Sequence, residues 1–159
     1  KWYNDNIGSN INLSSKVASG NYYCEQAKVE FSSNATTGSA TMTSYNKYTP
    51  DFKCSSDGNG KGLVNASVGL LTYDEVVYAG TYADVKSKSY YLYIPNINWW
   101  TMSPGGYYHA DAGAWTIVDT GYFASYTVSS KYSLRPVLNL DVNVQATGSG
   151  TSSDPYVIE

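Results

Sequence analysis

Apolar positions in this chain come in short alternating runs, the pattern of small strands, and only rarely at helical spacing. Asn21-Tyr22-Tyr23-Cys24 reads as one strand and Val68-Gly69-Leu70-Leu71 as another. Farther on, Tyr90-Tyr91-Leu92-Tyr93-Ile94 reads as a strand, and Pro95-Asn96-Ile97-Asn98 turns the chain into Trp99-Trp100-Thr101-Met102-Ser103. Ala114-Trp115-Thr116-Ile117-Val118 alternates so that Trp115 and Ile117 share a buried face. Asp119-Thr120-Gly121 makes a hairpin turn, Tyr122 to Ser129 returns, and Arg135 to Leu140 forms a last core strand. The clearest helix begins at Thr72-Tyr73-Asp74-Glu75, which has capping-box spacing, and ends at Gly80. Its acids lie at the positive end of the helix dipole, where they stabilise it. Lys1 to Ile7 reads as the last turns of another helix, with Trp2 packed inward and Gly8 and Asn10 as stop signals. Residues 32 to 49 offer little to bury and read as an exposed loop or loose hairpin.

The 159 residues fit one domain with room for a core. Aromatic residues make up 15% and charged residues 14% of the chain, so Asn, Ser, Thr, Gly and Tyr must supply the polar surface. That composition is typical of extracellular β-rich proteins. A net charge of -3 without a basic cluster removes the attraction that would hold a phosphate backbone, which argues against nucleic acid. No apolar run approaches the length that crosses a bilayer, so no direct membrane insertion is expected. The chain opens at Lys1-Trp2-Tyr3-Asn4 without a Met and is read as a piece cut from a longer secreted or anchored protein, with further domains upstream.

Cys24 and Cys54 have no second ligand pair nearby, which sets aside a zinc site. A disulfide closing the polar segment between them is the leading reading; two buried thiols are the other. Asp57-Gly58-Asn59-Gly60-Lys61-Gly62 lacks both the later ligands of a calcium loop and the Lys-Ser/Thr pair of a phosphate loop, and reads as a tight turn. No metal or cofactor is implied.

Candidate chemistry concentrates in the last third. Gly105, Gly106, Tyr107, Tyr108, His109 and Asp111 form a Gly-Tyr-rich loop, and Asp119, Tyr122 and Tyr126 come from the neighbouring hairpin. Tyr supplies contact area with few rotatable bonds and Gly lets a loop adapt, the economy of antibody loops. Strand alternation puts Trp99 and Trp100 on opposite faces; with Trp100 and Trp115 in the core, Trp99 faces outward as a binding anchor. Enzymatic chemistry is poorly supplied. His109 is the only histidine, and with Asp111 it makes the single acid/base candidate. Arg135, the lone arginine, reads as a buried ion pair with Asp74, Glu75 or Asp141, with a ligand-anchoring fork as the alternative.

Val68-Gly69-Leu70-Leu71-Thr72, the short helix, Tyr91-Leu92-Tyr93, Trp100-Thr101-Met102-Ser103-Pro104, a Gly-rich insert, Trp115 and Leu134-Arg135-Pro136-Val137-Leu138-Asn139-Leu140 follow one another in an order that resembles an uncharacterised domain of surface proteins from gut-dwelling Gram-positive bacteria. The end, from Gly148 to Ile158, resembles the short β segment that terminates such proteins, here residues 142–159. More distantly, the order is similar to the C-type-lectin-like fold, in the branch of the formylglycine-generating enzymes and retroelement-diversified binding proteins. The resemblance implies a single α+β domain over residues 1–159, with a small twisted antiparallel sheet, one or two short helices and long irregular loops. The calcium tripeptides of sugar-binding C-type lectins are absent, and no cysteine follows Cys54 to serve a formylglycine-generating chemistry. The expectation is a non-enzymatic, extracellular or cell-surface recognition module for a surface protein or glycan. A stalk domain and a hydrolase using His109 and Asp111 are the alternatives.

Overall fold

The computed structural model describes residues 1–24, 31–34, 39–42, 54, 62–81, 86–108, 111–151 and 153–159. It is a small α+β protein with short helices and several small antiparallel sheets. In chain order these are α1 (Ile11–Ser14), β1 (Tyr22–Cys24), β2 (Phe31–Asn34), β3 (Ser39–Met42), β4 (Leu63–Asn65), β5 (Gly69–Leu70), α2 (Tyr73–Tyr78), β6 (Trp99–Tyr108), β7 (Asp111–Ile117), β8 (Phe123–Thr127), β9 (Pro136–Val137), β10 (Ala146–Thr147) and β11 (Val157–Ile158). Two compact units emerge: Lys1–Asn21 with Asn65–Val68 and Leu138–Glu159, and Tyr22–Val64 with Gly69–Val137. No helix among the described residues is long and apolar enough to cross a membrane.

The first unit is held mainly by backbone pairing. A π-helical turn, Asn4–Gly8, stands where a terminal helix was expected, and Trp2 is 39% exposed instead of packed inward. With no buried residue in that turn or in α1, no core draws the indole in. Asn10 caps α1 by accepting from the Asn12 and Leu13 N–H groups. The Ala18 N–H donates to Asn139 O at 2.9 Å and the Asp141 N–H to Lys16 O at 2.9 Å, joining the two ends of the unit. β10 and β11 pair as an antiparallel hairpin inside residues 142–159.

The second unit contains the main sheet, in the order β2-β3-β6-β7-β8, together with the pair β5-β9, β1 and the first two residues of its partner strand β4. β2 and β3, which but for Phe31 lie in the stretch expected to be a loop or loose hairpin, pair antiparallel, and β3 joins the sheet through Ala40 opposite Tyr107 and Thr41 opposite Gly106. Cys24 and Cys54 form a disulfide with a Cα–Cα distance of 5.5 Å. The bond is the chemistry of an oxidising compartment. The turn expected at 57–62 lies, but for Gly62, outside the described residues.

At six residues, α2 is too short to stand alone, and persists because it buries Tyr73, Val76 and Val77 on one stripe. Its capping box is complete: Thr72 Oγ1 accepts the Glu75 N–H, and Glu75 Oε2 accepts the Thr72 N–H at 2.7 Å. At the other end the Gly80 N–H donates to Val77 O, with φ at +113° where a side chain would be strained. A Cβ on Gly69 would meet the Tyr23 ring, whose hydroxyl donates to Val137 O at 3.2 Å and so spans the β5-β9 pair.

Two expected strands change character. Tyr90 to Ile94 is a turn, closed by the Tyr93 N–H on Tyr90 O, with Tyr90 and Leu92 both buried. Alternation predicts a strand there, but the Leu92 carbonyl is taken by Arg135 Nη1 instead of a strand partner. The closing strand shortens to β9, with Gly69 opposite Val137 and Leu70 opposite Pro136.

Candidate functional site

The central hairpin β6-β7 and its neighbour β8 decide which aromatic groups are available. Trp99 lies opposite Ile117, and Ile117 opposite Phe123. All three are buried, at 0%, 1% and 2% exposure. Tyr73 packs on the same face, its ring 4.4 Å from Phe123 and 5.2 Å from Trp115. Trp99 is therefore a core residue and not an outward anchor. Trp99 and Trp100 lie on opposite faces as strand alternation predicts, but the apolar ladder through Ile117 and Phe123 takes Trp99 into the core in place of Trp100.

Arg135 completes this inner layer. Its guanidinium lies 5.2 Å from the Trp99 ring and donates to Leu92 O. Among the described residues no carboxylate bridges it, so a ring face and a carbonyl replace the expected ion pair. Burial pushes the nearby Tyr90 hydroxyl up to about 12, while Thr81 and the Arg135 charge pull the other way.

The Trp-Thr-Met-Ser-Pro run is a structural joint. Trp100 pairs with Thr116 and Pro104 with Ala114, so β6 spends three residues where β7 spends one. The surplus bulges toward α2. Ser103 Oγ accepts the Tyr73 N–H at 2.8 Å, the Met102 N–H donates to Leu71 O at 2.8 Å, and Thr101 Oγ1 donates to Trp115 O at 2.7 Å. Pro104 sits between two register shifts, where a missing N–H costs no regular ladder bond.

A second shift follows at Gly105, which is buried. A Cβ there would meet Ser125 Oγ and come within 2.8 Å of the Ala114 carbonyl carbon. Gly105 is thus a point of close backbone approach and not an adaptable loop position. The Gly-Tyr run is itself strand: Gly106 pairs with Gly113, Tyr107 with Ala112 and Tyr108 with Asp111. Of the expected loop 105 to 111, residues 105 to 108 and 111 are strand, with Asp111 exposed; His109 lies outside the described residues. Backbone pairing to β7 on one side and to β3 on the other favours the extended conformation here, against the entropy cost of two glycines facing across the ladder.

On the opposite side of the sheet from Phe123, a different aromatic group forms. Trp100 packs against Tyr132 at 5.1 Å, and Tyr132 against Tyr126 at 5.2 Å in an edge-on arrangement. Tyr126 is 37% exposed, and Trp100 and Tyr132 are half-buried. Partial burial, with Tyr132, Tyr122 and Asp119 nearby, pushes the Tyr126 hydroxyl above its ordinary range. Asp119, Tyr122 and Tyr126 are thus the three expected site residues that the fold gathers.

Beside Tyr132 runs an open groove of about 420 Å³, lined by Asn96, Ile97, Asn98, Lys131, Tyr132 and Ser133. Its walls are tied together: the Trp100 N–H donates to Ser133 O at 3.1 Å and the Ser133 N–H to Asn98 O at 3.0 Å. Asn98 Oδ1 accepts the Asp119 N–H at 2.8 Å, and the Tyr93 hydroxyl donates to Asp119 O at 2.9 Å, pinning the β7-β8 turn. Asn96 has φ at +61°, a left-handed conformation that Asn tolerates better than most residues. Sequence reasoning missed Tyr132, Lys131 and the two asparagines. The usable signal was the Pro95-Asn96 turn, where a left-handed Asn presents its side chain beside the start of a strand.

Comparison with protein-family models, with curated proteins and with solved structures gives no match.

Proposed function

We infer that this chain is a non-enzymatic recognition module of an extracellular or cell-surface protein, binding a surface protein or glycan through the aromatic strip Trp100-Tyr132-Tyr126 and its adjoining groove. The observation that carries the reading is the strip itself. Three rings, with Trp100 and Tyr126 each packed on Tyr132, lie next to an open groove with amide and ammonium donors, although the same sheet had an apolar core available on its other face. Large amphipathic rings partly open to water are the residues that dominate recognition surfaces. The C-type-lectin-like architecture belongs to this proposal, supported by the order of short helix, antiparallel sheet and irregular connections. The Cys24–Cys54 disulfide suits such a location. Retroelement diversification is a special case, visible in DNA as adenine-linked changes clustered between Trp99 and Tyr132.

A binding screen against glycan and surface-protein arrays, run with the wild-type chain beside a Trp100→Ala, Tyr126→Ala double variant, tests the reading. Binding lost in a variant that keeps its thermal transition supports it. Binding unchanged in the variant, or no binding by the wild type, favours a structural or stalk module.

A further inference from the structure

Trp100, Tyr132 and Tyr126 supply ring surface, and the groove at Tyr132 supplies what ring surface alone cannot. Asn98 has its amide oxygen committed to the Asp119 N–H, while its amide nitrogen has no partner among the described residues. The Asn96 side chain is likewise uncommitted there. Lys131 is exposed on the same wall, and no carboxylate among the described residues lies within ion-pair distance of it. The groove thus joins aromatic faces, neutral amide donors and one unpaired cation, in a chain where charge of either sign is sparse.

A pyranose ring offers an apolar C–H face to an aromatic plane and hydroxyls around its rim to amides, and a carboxylate on the ring would complement the ammonium. A peptide would instead need backbone pairing or an enclosed apolar pocket for an anchor side chain, and the groove is open, with Ile97 and Tyr132 interspersed among polar groups and no enclosed pocket. Resting on the recognition reading above, we propose that the groove and strip bind a saccharide chain bearing a carboxylate, with sugar rings on Tyr132 and Trp100 and the carboxylate at Lys131. Asn96 and Asn98 donate to ring hydroxyls. Lys131 selects by charge; the aromatic rings supply most of the affinity.

The test titrates the intact chain with a galacturonic-acid tetrasaccharide and with its methyl ester, which keeps the rings and removes the charge. Wild type, Lys131→Gln and Trp100→Ala are compared at low and at physiological salt, with the thermal transition of each variant measured first. The acid is expected to bind about fivefold tighter than the ester at low salt, the order of one exposed ion pair. Lys131→Gln is expected to erase that preference while keeping ester binding, and Trp100→Ala to abolish binding of both. Equal affinity for acid and ester, a preference that survives Lys131→Gln, or no saccharide binding at all would overturn the proposal. If saccharides fail while a surface protein binds in a Trp100- and Tyr126-dependent way, the ligand class is wrong and the recognition reading stands. If neither class depends on those rings, both fail.

Discussion

The two faces of the β6-β8 sheet differ in what their aromatic residues are for. On the inner face Trp99, Phe123 and Tyr73 are almost without solvent exposure, and Arg135 seals the indole from one side. On the outer face Trp100 and Tyr126 each pack on Tyr132 at much the same spacing, yet all three stay partly open. Residue type is therefore a poor guide to role in this chain. What separates the faces is α2, which its capping box and the Ser103 hydroxyl hold against one face.

The largest separation should appear between neighbouring tryptophans. Trp99→Ala is expected to cost about 3–5 kcal/mol, the range for emptying an aromatic site in a core. Trp100→Ala should cost about 1 kcal/mol, since its ring is only half removed from water. Urea denaturation of both variants measures the gap, and equal losses would erase the distinction between the faces.

Next in size is the pH response of Tyr90. Its folded hydroxyl titrates near 12 against about 10 unfolded, so between these values the folded state binds more protons. Stability then falls as pH rises through that window, by up to about 2–3 kcal/mol, and is complete below pH 10. Tyr90→Phe should flatten that part of the profile, as followed by chemical denaturation from pH 8 to 11.5.

Gly105→Ala places a methyl group against the Ala114 backbone, where neither strand can yield alone. About 2 kcal/mol of destabilisation is expected, read from the thermal midpoint, together with exchange-broadened amide signals in both strands. A neutral result would return Gly105 to the candidate binding residues.

Smallest in stability is Tyr126→Phe, expected to shift unfolding by less than about 0.5 kcal/mol. It would sharpen the comparison by weakening ligand binding without a fold change, if the hydroxyl and not only the ring meets the partner.

Features written in neighbouring residues were legible beforehand. The Thr72-to-Glu75 spacing located α2, Asp119-Thr120-Gly121 located the β7-β8 turn, and the two cysteines located the disulfide. Each depends on contacts that are local or have a single available partner. The Trp99/Trp100 choice depended instead on the phase of β6, and a bulge of two extra residues and a further shift at Gly105 intervene before the strand ends. Strand alternation is silent about phase unless a partner strand is known. Tyr90 to Ile94 carried a strand-like pattern because its apolar residues are buried, but the pairing that decides its backbone comes from Arg135, 43 positions after Leu92. The groove was illegible for the same reason, since Asn96 to Asn98 and Lys131 to Ser133 meet only through β6 pairing.

The adjacent tryptophans also make the chain its own optical probe. Trp99 is shielded from water and lies under a guanidinium, whereas Trp100 is partly hydrated and packs on Tyr132 of the groove wall. Their emission should differ in wavelength and in access to a soluble quencher. With Trp2, Trp115 and Trp100 replaced by Phe, emission from the buried partner would follow unfolding; with Trp2, Trp115 and Trp99 replaced by Phe in a chain that still folds, emission from the open one would follow occupancy. One covalent bond along the backbone thus separates a gauge of integrity from a gauge of engagement.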